Sequence, residues 1–287
     1  MKGKKLKKPR QLTSKQKIAE NEEKNIHKNV KWSNDVYYLD PAKSLKKKCG
    51  FLPINLRVRV VRMDVIDAIE LYGRPIWVPL RSNVRNGNTL AVINNASHHN
   101  KGGGATSNKG GGAKGEGGAQ EECLYRGSNL NEIYSTADAN MRDNIVVSNN
   151  VSAIRNAEGE LIKDVQLLFD VIAIAFERLA NGTITGEQLE NTKNKIKMLI
   201  KIISENKTWK IVLLGATGCG AQGWPVSLIA NIFKDVIDAN RDKDCSRDLQ
   251  LIFVIKVRGN NSQDETVYTQ FCSVFGQVPE MKEDVKR

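Results

Sequence analysis

The chain has 287 residues, 40% of them hydrophobic and 26% charged, which is enough for one large domain with a buried core. No stretch approaches the roughly 20 apolar residues that cross a bilayer, and no apolar segment follows the first lysines, so neither a membrane span nor a signal peptide is expected. The net charge of +12 favours polyanionic partners. Five cysteines, odd in number and without a C-x-x-C pair, argue against a disulfide framework or a cysteine zinc site. Reduced thiols and an intracellular protein are the expectation. The adjacent His98 and His99 read as polar loop residues, and no motif calls for a metal or cofactor.

Taken in order, the chain opens on the basic run MKGKKLKKPR (Met1–Arg10), and a second run, LKKKCG, covers Leu45–Gly50. Apart from a short helix expected around Ser14–Glu23, residues 1–50 lack the apolar periodicity of a core and read as a basic, partly disordered N-terminal extension. Its lysines suit a solvated tail, contact with a nucleic-acid backbone through Lys2–Arg10, or a nuclear import signal. Residues 51–287 read as the folded domain. RVRVVR (Arg57–Arg62) alternates like a strand, and Asp64 then opens a helix with Val65, Ala68, Ile69 and Leu71 on its apolar face.

LAVIN (Leu90–Asn94) is a short buried strand, followed by a loop with two glycine triplets, Gly102–Gly104 and Gly110–Gly112. GGGATSNK beside GGGAKGEG resembles a local duplication. QEECLYRGSNL (Gln120–Leu130) has the composition of a helix. Strands are expected at Ile145–Ser148, Val171–Phe176, Lys210–Leu214 and Leu249–Val257. The spacing of Leu189, Thr192, Ile196, Leu199 and Ile203 predicts an amphipathic helix, and further helices are expected over Pro225–Ala239 and Thr266–Phe275. This alternation predicts a largely parallel sheet with helices on both faces.

In such a sheet, ligands bind beyond the carboxyl ends of the strands. Both glycine-rich loops fall there, the second being GATGCGAQG (Gly215–Gly223) between the strand KIVLL and the helix expected to begin at Pro225, with the favoured first-turn proline. Glycines let backbone N–H groups converge on an anion, and a following helix adds its positive end, so a phosphate or diphosphate is the expected guest. The loop has neither the Lys-Ser/Thr pair of an ATPase P-loop nor the spacing of a dinucleotide fingerprint.

A glycine triplet, seven residues and then Gln-Glu-Glu (GGGAKGEGGAQEE, Gly110–Glu122) resembles the signature of bacterial-type poly(ADP-ribose) glycohydrolases, which are elaborated macrodomains. Asn94, Ala96, Ser97 and Asn100 are similar to the family's approach to that loop. Downstream, CLYRGSNL, VSNNVSAIRNAEGEL and LLGATGCGAQGWP resemble its later motifs in the same order, so the likeness spans roughly Arg57–Phe275.

The resemblance implies a macrodomain-like three-layer α/β/α fold with a mixed, largely parallel sheet. It also implies hydrolysis of O-glycosidic ADP-ribose linkages, in poly(ADP-ribose) or on ADP-ribosylated macromolecules, without a cofactor and by a protein expected to be monomeric. Glu122 matches the family's catalytic glutamate; Glu121 and Gln120 match its ribose and loop partners. Asn94, Asn100 and the triplet Gly110, Gly111 and Gly112 belong to the ligand loop, and Gly215, Ala216, Thr217, Gly218, Cys219, Gly220, Ala221 and Gln222 to the diphosphate loop. The chemistry agrees, because breaking a glycosidic bond at ribose needs an acid for the leaving oxygen and then a base for water. Neighbouring helical residues point about 100° apart, so one acid, Glu122, is expected to do both, while Glu121 orients ribose and loop.

The chain departs from the pattern in three places. Eight extra residues separate the Asn94–Asn100 anchor from the glutamates, and spacing favours Gly110–Gly112 as the working triplet. Lys101 replaces a proline, and Gln222 stands where the family has an aromatic ring beside the reacting ribose. The last favours an alternative in which the domain binds ADP-ribose without turning it over. Asp64 resembles the macrodomain aspartate near adenine and equally a plain helix cap, and Trp224 reads as packing rather than cleft lining.

Overall fold

The structure is a computed structural model that describes residues 33–38, 50–73, 78–79, 89–97, 102–103, 119–136, 144–155, 159–162, 165–179, 182–259 and 261–280. Its first half contains β1 (Ser33–Tyr38), β2 (Leu52–Pro53), β3 (Arg57–Arg62), α1 (Val65–Gly73), β4 (Val78–Pro79), β5 (Leu90–Asn95), α2 (Gln120–Gly127), α3 (Leu130–Thr136) and β6 (Asn144–Ser152). The second half adds β7 (Val165–Gln166), β8 (Leu168–Ile174), α4 (Gly186–Glu205), β9 (Ile211–Leu214), α5 (Val226–Ala239), β10 (Arg241–Asp242), β11 (Gln250–Ile255) and α6 (Ser262–Val274).

Seven strands form one sheet in the order β1-β6-β8-β5-β9-β11-β3. From β8 to β3 the neighbours run parallel, while β6 is antiparallel to β8 and β1 to β6. The strands are apolar on both faces because both are covered. Ala91, Ile93, Val212, Leu214, Leu251 and Phe253 meet one core with α4, α5 and α6; Leu90, Val92, Leu213, Ile252 and Val254 meet the other with α1, α2 and α3. Each large aliphatic side chain so buried contributes about 1.5–3 kcal/mol, so period-two alternation between two cores fixes the register.

Helix α4 starts where its sequence says it should. The Gln188 N–H donates to Thr185 Oγ1 (3.1 Å) and the Thr185 N–H to Gln188 Oε1 (3.0 Å), a reciprocal capping box. Thr192, Ile196, Leu199 and Ile203 are buried on its inner face, as the spacing predicts.

Three expectations need revision. The single helix expected over Gln120–Leu130 breaks at Ser128, whose Oγ donates to the Leu124 carbonyl (2.6 Å) and accepts from the Leu130 N–H (3.3 Å), so α2 and α3 are separate. Ser33–Tyr38, within the stretch read as an extension, is the edge strand of the central sheet, where Val36 and Tyr37 pack on the two cores. Pro225 stands just before α5 rather than in its first turn. The helix expected around Ser14–Glu23 lies outside the described residues.

Parallel strands place all their carboxyl ends on one edge. From that edge β3 feeds α1, β5 leads toward α2, β9 enters the loop before α5 and β11 leads to α6. Among the described residues, no helix is long and apolar enough to cross a membrane.

Candidate functional site

A cleft of about 980 Å³ opens along this edge, with Glu121, Glu122, Gln120, Gly218, Gln222, Asp64 and Lys256 among its lining residues. One wall begins with β5. Its last residues are amides because the strand ends where side chains must reach neighbouring loops. The Asn95 N–H donates to Gln120 Oε1 (3.1 Å), and Asn95 Oδ1 accepts from Thr217 Oγ1 (2.6 Å), tying α2 and the second glycine loop to the same strand end. Asn94 is fully buried and its Nδ2 donates to the Tyr134 hydroxyl (3.2 Å).

Glu121 is 3% exposed. Its Oε1 accepts from the Gly102 N–H (3.0 Å) and its Oε2 from the Ser97 N–H (2.9 Å). Burial pushes its carboxyl up to about 7, against the pull of those two N–H groups and the Asn94 side chain; the nearby Glu122 charge adds to the rise. Glu122 is half-buried and reaches back so that its Oε2 accepts from the Ala119 N–H (3.1 Å), one half of a capping box that alanine cannot reciprocate.

The two carboxyl groups converge despite their helical divergence. A Cβ placed on Gly103 would lie 3.2 Å from Glu121 Oε2 and 3.5 Å from Glu122 Oε1. Gly103 has φ +54° and Gly102 φ +80°, and a Cβ on Gly102 would stand 2.4 Å from the Tyr125 ring. Only glycine fits this turn.

The opposite wall is Gly215–Gly223. Its fold is set by the Cys219 N–H donating to the Ala216 carbonyl, the Gly223 N–H to Gly220 and the Trp224 N–H to Gly218, each at 3.0 Å, with positive φ at Gly218 and Gly223. Among the described residues, the N–H groups of Gly220, Ala221 and Gln222 take part in no hydrogen bond within the protein. Successive unpaired N–H groups on a glycine turn form a concavity for an anion. Thr217 and Cys219 are buried, and burial pushes the Cys219 thiol up to about 12, so it serves as packing rather than as a nucleophile.

The segment after β8 is strapped to this loop. The Leu179 N–H donates to the Gln222 carbonyl (2.9 Å), and Trp224 Nε1 donates to the Glu177 carbonyl (2.7 Å). The buried Lys195 Nζ donates to the Ala175 carbonyl (2.6 Å). Trp224, 2% exposed, packs edge-on to Phe176, as its packing role predicts. At the far end of the cleft, Asp64 Oδ1 accepts from the Ile66 N–H (2.9 Å) as a helix cap, and its Oδ2 pairs with Lys256 Nζ (2.7 Å). Arg258 pairs with Asp264 there. Among the described residues, no three His, Cys, Asp or Glu side chains are grouped to hold a metal ion.

The structure therefore brings together Asn94, Gln120, Glu121, Glu122 and Gly215–Gln222. Asn100 and the favoured triplet Gly110–Gly112 lie outside the described residues. Of the described glycines, Gly102 and Gly103 meet the carboxylates. Sequence reasoning did not assign the backbone donor of Ser97, Asn95 as the bridge to Thr217, or the Phe176–Leu179 strap. The strap carries no motif, and its only sequence signal is its place after a buried strand.

Sequence comparison returns nothing: no protein-family model and no curated protein matches the chain. Structural comparison does. The chain is similar to poly(ADP-ribose) glycohydrolase from Thermomonospora curvata, with a TM-score of 0.59 and 16% identity over 89% of each chain. A mutant of the Deinococcus radiodurans poly(ADP-ribose) glycohydrolase in complex with ADP-ribose gives a TM-score of 0.64 at 15% identity, over 88% of this chain and 96% of that one. The Thermomonospora curvata enzyme bound to the inhibitor ADP-HPD gives 0.57 at 16%, over 88% of each. At such identity the likeness is one of fold: the chain has the mixed α/β architecture of bacterial poly(ADP-ribose) glycohydrolases.

Proposed function

We propose that the protein is a glycosidase that hydrolyses O-glycosidic ADP-ribose linkages and releases ADP-ribose. The observation that carries this reading is the convergence of the Glu121 and Glu122 carboxyls on the Gly102–Gly103 turn, facing a glycine loop with unpaired N–H groups. The loop would hold the diphosphate and so present the attached ribose to the carboxyl pair. Glu122, the more accessible of the two, protonates the leaving oxygen as the C–O bond at the ribose anomeric carbon breaks. Its carboxylate then accepts a proton from the water that adds to that carbon, which restores the acid. Glu121, held by two backbone donors, orients the ribose and fixes the glycine turn.

The test is release of ADP-ribose from poly(ADP-ribosyl)ated protein, with ADP-ribose binding followed by calorimetry. Glu122→Gln is expected to lose at least about 100-fold in turnover, the lower end of what a general acid contributes, while binding changes little. Undiminished activity in that variant would remove Glu122 from the chemistry.

Gln222 supports a second reading, because an amide lines the cleft where the resembling family carries a ring that excludes water. A domain of that kind binds ADP-ribose and releases no product from any ADP-ribosylated substrate. Either activity is compatible with nucleic-acid contact through Lys2–Arg10.

A further inference from the structure

Three cationic side chains line the cleft, and two are already committed: Lys256 to Asp64 and Arg258 to Asp264. Arg178 is different. It is exposed and, among the described residues, takes part in no ion pair or hydrogen bond. Its backbone is nevertheless among the best fixed at the site. The preceding carbonyl, of Glu177, accepts from Trp224 Nε1 and the following N–H, of Leu179, donates to the Gln222 carbonyl. The Glu177 side chain is held in turn, accepting from Gln188 Nε2 at 3.0 Å. A Cβ on Gly218 would approach the Phe176 ring to 2.6 Å, so the strap lies directly on the loop. A free guanidinium is thus mounted, through bonds on both sides, on the turn that carries the unpaired N–H groups of Gly220, Ala221 and Gln222.

The electrostatics call for such a group. Asp64 and Asp264 are neutralised by their partners, and the carboxyl groups of Glu121 and Glu122 offer no attraction to an anionic ligand. Backbone N–H groups supply direction but no net charge. A guanidinium supplies a full charge in a planar fork that matches two phosphate oxygens.

We propose that Arg178 is the diphosphate clamp of this cleft: its guanidinium closes on the phosphate oxygens of a ligand seated on the glycine loop and selects diphosphate-bearing ligands over uncharged nucleosides. The inference rests on the ADP-ribose reading above and deepens it by assigning a binding residue that the glutamate and glycine motifs do not contain. Arg178 belongs to binding; the bond-breaking groups lie on α2.

The test is calorimetric titration of the full chain with ADP-ribose, ADP and adenosine, for wild type, Arg178→Ala and Arg178→Lys, at low and moderate salt. Arg178→Ala is expected to weaken ADP-ribose and ADP about 10- to 100-fold, as for loss of a charged hydrogen-bond partner, with a shallower salt dependence. Adenosine affinity and the melting temperature should hold, and Arg178→Lys should recover only part of the loss. Equal diphosphate affinities in wild type and Arg178→Ala overturn the clamp while leaving the proposed function intact. So does an equal loss for all three ligands with a lowered melting temperature, which marks a structural role. A wild type that binds ADP but not ADP-ribose, with ADP binding lost in Arg178→Ala, keeps the clamp and sinks the ADP-ribose reading. One that binds neither overturns both.

Discussion

A carboxyl group withdrawn from water prefers its proton, and Glu121 is almost wholly withdrawn. Its folded-state value near 7 lies above the ordinary 4.5, so the folded protein holds a proton that the unfolded chain releases once the pH passes 4.5. Stability from this group is complete below about pH 4.5 and is lost as the pH rises toward 7. The loss is on the order of 3 kcal/mol, from about 1.36 kcal/mol per unit. Glu121→Gln removes the titration while sacrificing one of the two backbone acceptors. Thermal melts between pH 4.5 and 8 should show wild-type stability falling with pH relative to the variant; parallel curves would mean that Glu121 titrates normally. At the same turn, Gly103→Ala would put a methyl group against both carboxyls in a backbone conformation that alanine resists. It should cost turnover more than ADP-ribose affinity, measured side by side.

Between elements, the site depends on how loops from different strands lock together. Gly218 is the tightest such point: its φ is +86°, and a Cβ would stand 2.6 Å from the Phe176 ring and 3.3 Å from Trp224. Gly218→Ala should therefore lift the strap from the loop, lowering the melting temperature and weakening ADP-ribose binding together; a change in binding alone would mean that the loop moves independently of the strap. This level of organisation is also where the sequence speaks least. Strands such as LAVIN and KIVLL and the α4 stripe were legible because burial on one or two faces imposes a period on the residues themselves. The break at Ser128 was not, since it turns on a hydroxyl competing for the Leu124 carbonyl. Nor was β1, because Ser33–Tyr38 has partners more than 100 residues away and little apolar pattern of its own. The glutamates and the Gly215–Gln222 loop were legible as motifs. The role of Gly102 and Gly103 beside them was obscured by a second triplet with the more familiar spacing.

At the scale of the whole molecule, charge is unevenly placed along the chain. Eleven Lys and Arg against three Glu precede Ser33, so this stretch holds +8 of the chain's +12, and among the described residues the first strand of the central sheet is Ser33–Tyr38. Deleting residues 2–32 removes most of the net charge and leaves every described strand in place. Deleting 2–38 also takes β1 and bares the β6 edge, where Val36 and Tyr37 had covered the two cores. The two truncations should therefore behave differently. The shorter deletion is expected to keep its melting temperature and its ADP-ribose affinity while losing most salt-sensitive binding to DNA or RNA, because that binding scales with the phosphates the protein can neutralise. The longer one should lose the same nucleic-acid binding and also melt earlier and aggregate more readily, through an unpaired strand edge rather than a damaged site. Filter binding across a salt series, read beside thermal melts of both truncations, separates these effects. Nucleic-acid affinity that survives the shorter deletion with its salt slope unchanged would move the contact onto the folded domain, where the cleft's own cations would be the next residues to substitute.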